Sequence, residues 1–198
     1  HLATGRLGKP GAGPFSITGQ PNAMGGREVG GLANQLAAHM EFRADDIDRV
    51  GRFWQAPAMA TQQGLKAVEM FQAAAQGKIR FLWIMATNPA VSLPDTALVC
   101  QALERCEFVV VSDCSAATDT AAYADMLLPA MGWGEKDGTV TNSERCISRQ
   151  RKLVDAPGEA RADWWAVTQV ARRLGFGAAF TYDRPADIFA EHARLSGF

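Results

Sequence analysis

Residues 79–113, IRFLWIMATNPAVSLPDTALVCQALERCEFVVVSD, decide the fold. Their first eight residues (79–86) are an almost unbroken apolar run, the pattern of a strand buried on both faces of a sheet. The run stops at Thr87-Asn88-Pro89, where proline ends a ladder and favours a turn. Ser92-Leu-Pro-Asp95 then resembles a capping box, and Leu98, Val99, Ala102 and Leu103 follow at helical spacing. A second apolar run, 107–112 (EFVVVS), ends at Asp113. Strand, helix and strand over this length make a βαβ unit, so the sheet is expected to be parallel with a right-handed crossover. The predicted class is α/β, a Rossmann-like parallel sheet flanked by helices.

Outward from this unit, 118–124 reads as a turn or short helix and 126–129 as a third short strand. Helices are predicted over 45–54, 64–76, 163–174 and 185–195, and 132–142 reads as loop. Residues 1–31 hold nine glycines and three prolines, which excludes a regular helix or strand across them. Phe15, Ile17, Met24 and Leu32 argue against a disordered tail, so the stretch reads as an ordered loop that brings backbone close to something. The chain thus divides into a glycine-rich segment, 1–44, and an α/β core, 45–198.

Composition narrows the function. The 198 residues suit one domain with a full core. Net charge is −1, which offers no broad basic surface for nucleic acid. No apolar run approaches the ~20 residues of a membrane span, and no secretory signal is visible, so a cytoplasmic protein is expected. The chain starts at His1, which reads as processing or as a fragment of a longer protein. Cys100, Cys106, Cys114 and Cys146 form no Cys-x-x-Cys pair, and read as reduced thiols rather than a zinc or iron–sulfur set.

Ligands of open parallel sheets sit beyond the carboxyl ends of the strands. Two polar clusters lie there: Thr87 with Asn88, and Ser112 with Asp113. An Asn offers a donor and an acceptor, and an ionised Asp accepts two donors. Each residue could equally cap a turn, but the two clusters at adjacent strand ends favour a nucleotide. No Gly-x-Gly-x-x-Gly follows a strand and no Walker A loop is present, which disfavours ordinary nicotinamide binding. By residue type alone, Lys136 reads as a solvated lysine between acids and Asp163 as a helix N-cap. Arg27, among glycines and next to Glu28, could attract an oxyanion or pair with that glutamate. The three histidines stand beside no nucleophile and take no role.

Five stretches carry a resemblance over nearly the whole chain: 4–40 (TGRLGKPGAGPFSITGQPNAMGGREVGGLANQLAAHM), 82–95 (LWIMATNPAVSLPD), 109–130 (VVVSDCSAATDTAAYADMLLPA), 133–152 (WGEKDGTVTNSERCISRQRK) and 156–165 (APGEARADWW). Together they resemble the molybdopterin oxidoreductase superfamily and, within it, the assimilatory nitrate reductases. The resemblance implies molybdenum on two molybdopterin guanine dinucleotides, one of them held partly by a domain like this one. It implies cofactor contacts for Gln20, beside the pterin, and for Asn88, Ser112, Asp113, Lys136 and Asp163. This reverses the solvated and capping readings of Lys136 and Asp163. Arg27 matches an arginine that positions nitrate. A 4Fe-4S cluster motif and the molybdenum ligand are expected upstream, so this chain alone is expected to be inactive. The implied reaction takes nitrate to nitrite, with electrons from ferredoxin, flavodoxin or an NADH-linked reductase, and the remaining domains of the same polypeptide as partners. Cys146 departs from the pattern, which has arginine after Glu-Arg. The alternatives are a formate dehydrogenase of the same superfamily and a non-catalytic nucleotide-binding module.

Overall fold

Three strands, β1 (Phe81–Met85), β2 (Phe108–Asp113) and β3 (Met126–Pro129), pair in parallel with β2 in the centre. The register sets Leu82 against Val109, Ile84 against Val111, and Asp113 against Pro129. This computed structural model describes residues 1–14 and 20–197; Phe15 and Ile17 lie outside them. The expected α/β class and parallel sheet are present.

The core lies on one face of the sheet. α3 (Ala67–Ala75) and α5 (Thr96–Arg105) pack there, burying Phe71, Ala74, Val99, Ala102 and Leu103 against Leu82, Ile84, Val109 and Val111. Burial on both faces, as the apolar runs suggested, holds for β2 but not for β1. Phe81 is 54% exposed, and Trp83 and Met85 are half-buried. An apolar run reports that a strand can be covered on both sides, not that this chain supplies both covers. On the open face Phe81 stacks on Phe108 with ring centroids 6.3 Å apart. Cys106 is buried at the margin of the core, where burial pushes its thiol pKa up, and all four cysteines are free.

Several boundaries differ from expectation. Ser92 closes a short helix, α4 (Pro89–Ser92), and the cap of α5 is Asp95, whose carboxylate accepts from Leu98 N at 3.1 Å. α3 begins at Ala67 rather than at residue 64, and Gly64 N donates to Ala33 O at 2.8 Å. Residues 138–150, read partly as loop, hold an antiparallel hairpin of β4 (Gly138–Thr141) and β5 (Ile147–Gln150). α6 (Asp163–Ala171) ends before residue 174 in a wider turn that contains Gly175 at φ +95°.

The glycine-rich segment, expected to hold no regular element, includes a short helix, α1 (Ala23–Glu28), in which Gly25 and Gly26 are both helical. It packs on the hairpin, with Asn22 Oδ1 accepting from Thr141 N at 2.9 Å. The close approach expected of its glycines is made to its own chain. Gly30 has φ +88°, and a Cβ there would stand 2.8 Å from Ala37 Cα. Gly30→Ala is therefore expected to destabilise the fold by more than about 1 kcal/mol. An unchanged denaturation midpoint would contradict this packing. Beside it, Ala37, Ala38, Met40 and Val50 form a second small core with Leu195, joining α2 (Ala44–Trp54) to α7 (Pro185–Ser196).

Candidate functional site

All three strands end at the same edge because they run parallel, and the chain turns sharply after each. Leaving β1, Ala86 adopts φ +53° while its N–H donates to Ser112 O at 2.9 Å. Thr87 and Asn88 follow, and Pro89 opens α4. Leaving β2, Asp113 Oδ1 accepts from Ser115 N at 3.0 Å, a tight turn with Cys114 at its apex. Beyond β3, Ala130 pairs in parallel with Arg161, which adds a fourth extended segment at the sheet margin. That segment leads into α6, so Asp163, its first residue, arrives at the same edge. Gly132 N donates to Glu135 Oε2 at 2.7 Å, closing the turn that carries Lys136 in.

The result is one cleft of about 350 Å³, lined among others by Asn88, Asp113, Lys136 and Asp163. Lys136 Nζ lies 3.0 Å from Asp163 Oδ2, with each side chain about 30% exposed. This pairing replaces both readings from residue type: Lys136 is not simply solvated, and Asp163 makes no cap bond. The other oxygen of Asp163, Oδ1, is buried and accepts no hydrogen bond. A buried carboxylate oxygen without a donor is costly, by roughly 1–3 kcal/mol.

The cleft brings together four of the seven expected residues. Ser112 is 3% exposed and its Oγ accepts from Trp83 Nε1 at 2.8 Å, so its side chain turns into the sheet. Gln20 and Arg27 are exposed and stand outside the lining. Glu28 pairs with Arg145 at 3.4 Å and with His39, rather than with Arg27. The lining also holds Cys114, Met131 and Trp133, which residue reading missed. Met131 and Trp133 follow β3 directly, so the rule that placed Asn88 and Asp113 would have found them.

The donor and acceptor balance tests what fits. The lining carries two carboxylates and one ammonium, so it favours a neutral edge rich in N–H groups over a phosphate. Trp133 and Met131 supply apolar surface for a flat ring. The edge of a guanine base, with its ring N–H and exocyclic amine, has this character. Among the described residues no group of three or more His, Cys, Asp or Glu gathers as metal ligands, and no helix is long and apolar enough to cross a membrane.

Residues 1–173 match the family model described as Molybdopterin oxidoreductase. A nitrate reductase of Klebsiella oxytoca is 59% identical over 198 residues, 100% of this chain and 23% of that protein. The F420-dependent formate dehydrogenase 2 subunit alpha of Methanococcus maripaludis is 37% identical over 194 residues, 98% of this chain and 28% of that protein. Among solved structures, acetylene hydratase from Pelobacter acetylenicus superposes with a TM-score of 0.56 at 21% identity, over 66% of this chain and 19% of that one, a likeness of fold alone. The chain spans about a quarter of the length of the curated relatives it matches.

Proposed function

This chain belongs to the molybdopterin oxidoreductase family, and from that premise we propose that it is the nucleotide-holding α/β part of a nitrate reductase. The observation that carries the nucleotide reading is the strand-end cleft, which Asp113 and Asp163 line together. The substrate reading is supported by the higher identity to a nitrate reductase, 59%, than to a formate dehydrogenase subunit, 37%.

The ligand of the cleft is the guanine end of a molybdenum bis(molybdopterin guanine dinucleotide). Asp113 and Asp163 accept its N–H groups, Lys136 holds Asp163 in place, and Asn88 contributes an amide. The core, 45–198, grips this dinucleotide, and the segment 1–44 faces the pterin. Ser112 acts from within the sheet, holding the strand end through Trp83. Gln20 stands beside the pterin. Arg27, exposed on the short helix α1, presents a guanidinium that attracts and orients the nitrate oxyanion. When bound, the molybdenum centre supplies oxygen-atom transfer that takes nitrate to nitrite. Electrons come from a ferredoxin, a flavodoxin or an NADH-linked reductase through a 4Fe-4S cluster carried by other domains of the polypeptide. The location is the cytoplasm.

Asp113→Ala in the full-length protein is expected to lower molybdenum and guanine content by about tenfold, the worth of one charged hydrogen bond. Unchanged loading would remove Asp113 from the site. Nitrate-dependent reoxidation of a reduced viologen dye by the loaded wild-type protein tests the substrate. Turnover of formate in place of nitrate would overturn the nitrate reading and favour the formate dehydrogenase relatives.

A further inference from the structure

Glu28, the last residue of α1, holds a carboxylate with little access to water, its side chain being 15% exposed. Two side chains close on it from different segments. Arg145, in the turn of the β4–β5 hairpin, brings its Nε to 3.4 Å from Oε1, and His39 Nε2 meets Oε2. Both partners stand on left-handed backbone, His39 at φ +68° and Arg145 at φ +62°. A residue with a side chain keeps that conformation only where its surroundings impose it. Asn22, just before α1, is bonded to Thr141 of the same hairpin, so α1 is fixed to it at both ends. The neighbouring Arg27 is exposed and, among the described residues, pairs with no carboxylate. Adjacent side chains on a helix do not face one another, so Glu28 acts on Arg27 through its charge and not by contact. Arg145 cancels that charge, and the charge of Arg27 is left over.

We infer that Arg145 is a positioning residue for the oxyanion substrate: it neutralises the Glu28 carboxylate, so that the field around Arg27 stays attractive to an anion. The inference rests on the reading of Arg27 above. Without the arginine at 145, a carboxylate largely shielded from water would stand one residue from the guanidinium that receives nitrate, and would repel it. The effect is modest, because Arg145 is itself 71% exposed and its pair with Glu28 is partly screened. The signs are distinctive. Loss of the cation weakens anion binding, loss of the acid does not, and loss of both restores it. A contact that only fastened α1 to the hairpin would be broken alike from either side.

The test is dye-driven nitrate reduction by the cofactor-loaded full-length protein, together with isothermal titration of nitrate in the absence of the dye. Arg145→Gln is expected to raise both KM and the dissociation constant of nitrate about threefold, within the range of an exposed ion pair, and to leave kcat unchanged. The rise should shrink at high salt. Arg145→Lys keeps the charge and should stay within about 1.5-fold of the wild-type KM. Glu28→Gln keeps an acceptor for both partners and removes the charge, and should hold KM at or below wild type. Added to Arg145→Gln, it should return KM to within about 1.5-fold of wild type. Arg145→Gln with a wild-type KM would overturn the inference. So would a lysine variant as impaired as glutamine, or a Glu28→Gln change that raises KM or fails to rescue. Arg27→Gln separates the reading beneath: it is expected to raise KM by about tenfold, the worth of one charged hydrogen bond. A wild-type KM there overturns the role of Arg27, and this inference with it.

Discussion

Asp163→Ala in the full-length protein is expected to reduce its molybdenum cofactor content by ten- to a hundredfold, the largest loss of any single change in the cleft. Asp163 holds two positions at once. Its Oδ2 pairs with Lys136 at 3.0 Å, and its Oδ1 is a buried acceptor without a donor. Truncation removes the acceptor and leaves the Lys136 ammonium, 29% exposed, without its partner beside the ligand. A hydrogen bond to a charged group contributes about 1.5–3 kcal/mol, which is about ten- to a hundredfold in affinity. Asp163 also stands in the first turn of α6, where a carboxylate stabilises the helix by roughly 0.3–1 kcal/mol, so a small loss of stability accompanies the change. Molybdenum measured by mass spectrometry and guanine released by acid, each against protein, give the loading. A thermal melt separates that effect from unfolding. Wild-type loading in a folded Asp163→Ala protein would place the ligand elsewhere.

Phe71→Ala is expected to cost about 3–5 kcal/mol of stability, the largest effect outside the cleft. Phe71 is 3% exposed and sits in the core between α3 and the sheet. Its removal opens a void beside Leu82, Ile84 and Val109, the residues that seat β1 and β2. For a chain of this size the cost corresponds to a fall in melting temperature of roughly 10 °C. Leu153→Ala, at a side chain 83% exposed, serves as the comparison and should stay within about 0.5 kcal/mol of wild type. A melting temperature for Phe71→Ala as close to wild type would mean that this layer does not carry the fold.

The parts of the fold legible in the sequence are those written in local pattern. The apolar runs at 81–85 and 108–112, divided by a helical spacing, are sufficient for a parallel βαβ unit, because only a crossover can return the chain to the same direction. The polar residues that end each run then fall at one edge, which is why Asn88 and Asp113 could be placed together. The hairpin of β4 and β5 was not legible. Its strands alternate weakly, with Thr139, Ile147, Ser148 and Arg149 all exposed, and its turn uses Asn142 and Arg145 rather than an Asn-Gly or Asp-Gly pair. The glycine-rich segment was read as bringing backbone close to something; the one described glycine where a Cβ would meet a neighbouring segment's backbone closely at positive φ, Gly30, approaches its own residues 36–37.

Sequence by itself therefore determined the class of fold, the strand-end location of the cleft and the kind of residues that line it, since each follows from patterns of neighbours along the chain. Tertiary structure alone decided what each polar side chain can still offer. Ser112 turns to Trp83, 29 residues away; Asn88 gives its carbonyl to Thr120, 32 residues away; Asp163 is left with one oxygen unpartnered because Lys136, 27 residues away, takes only the other. The reason is physical: a side chain's free hydrogen-bonding capacity is whatever its spatial neighbours leave over, and those neighbours are brought in by the crossing of strands and not by adjacency along the chain.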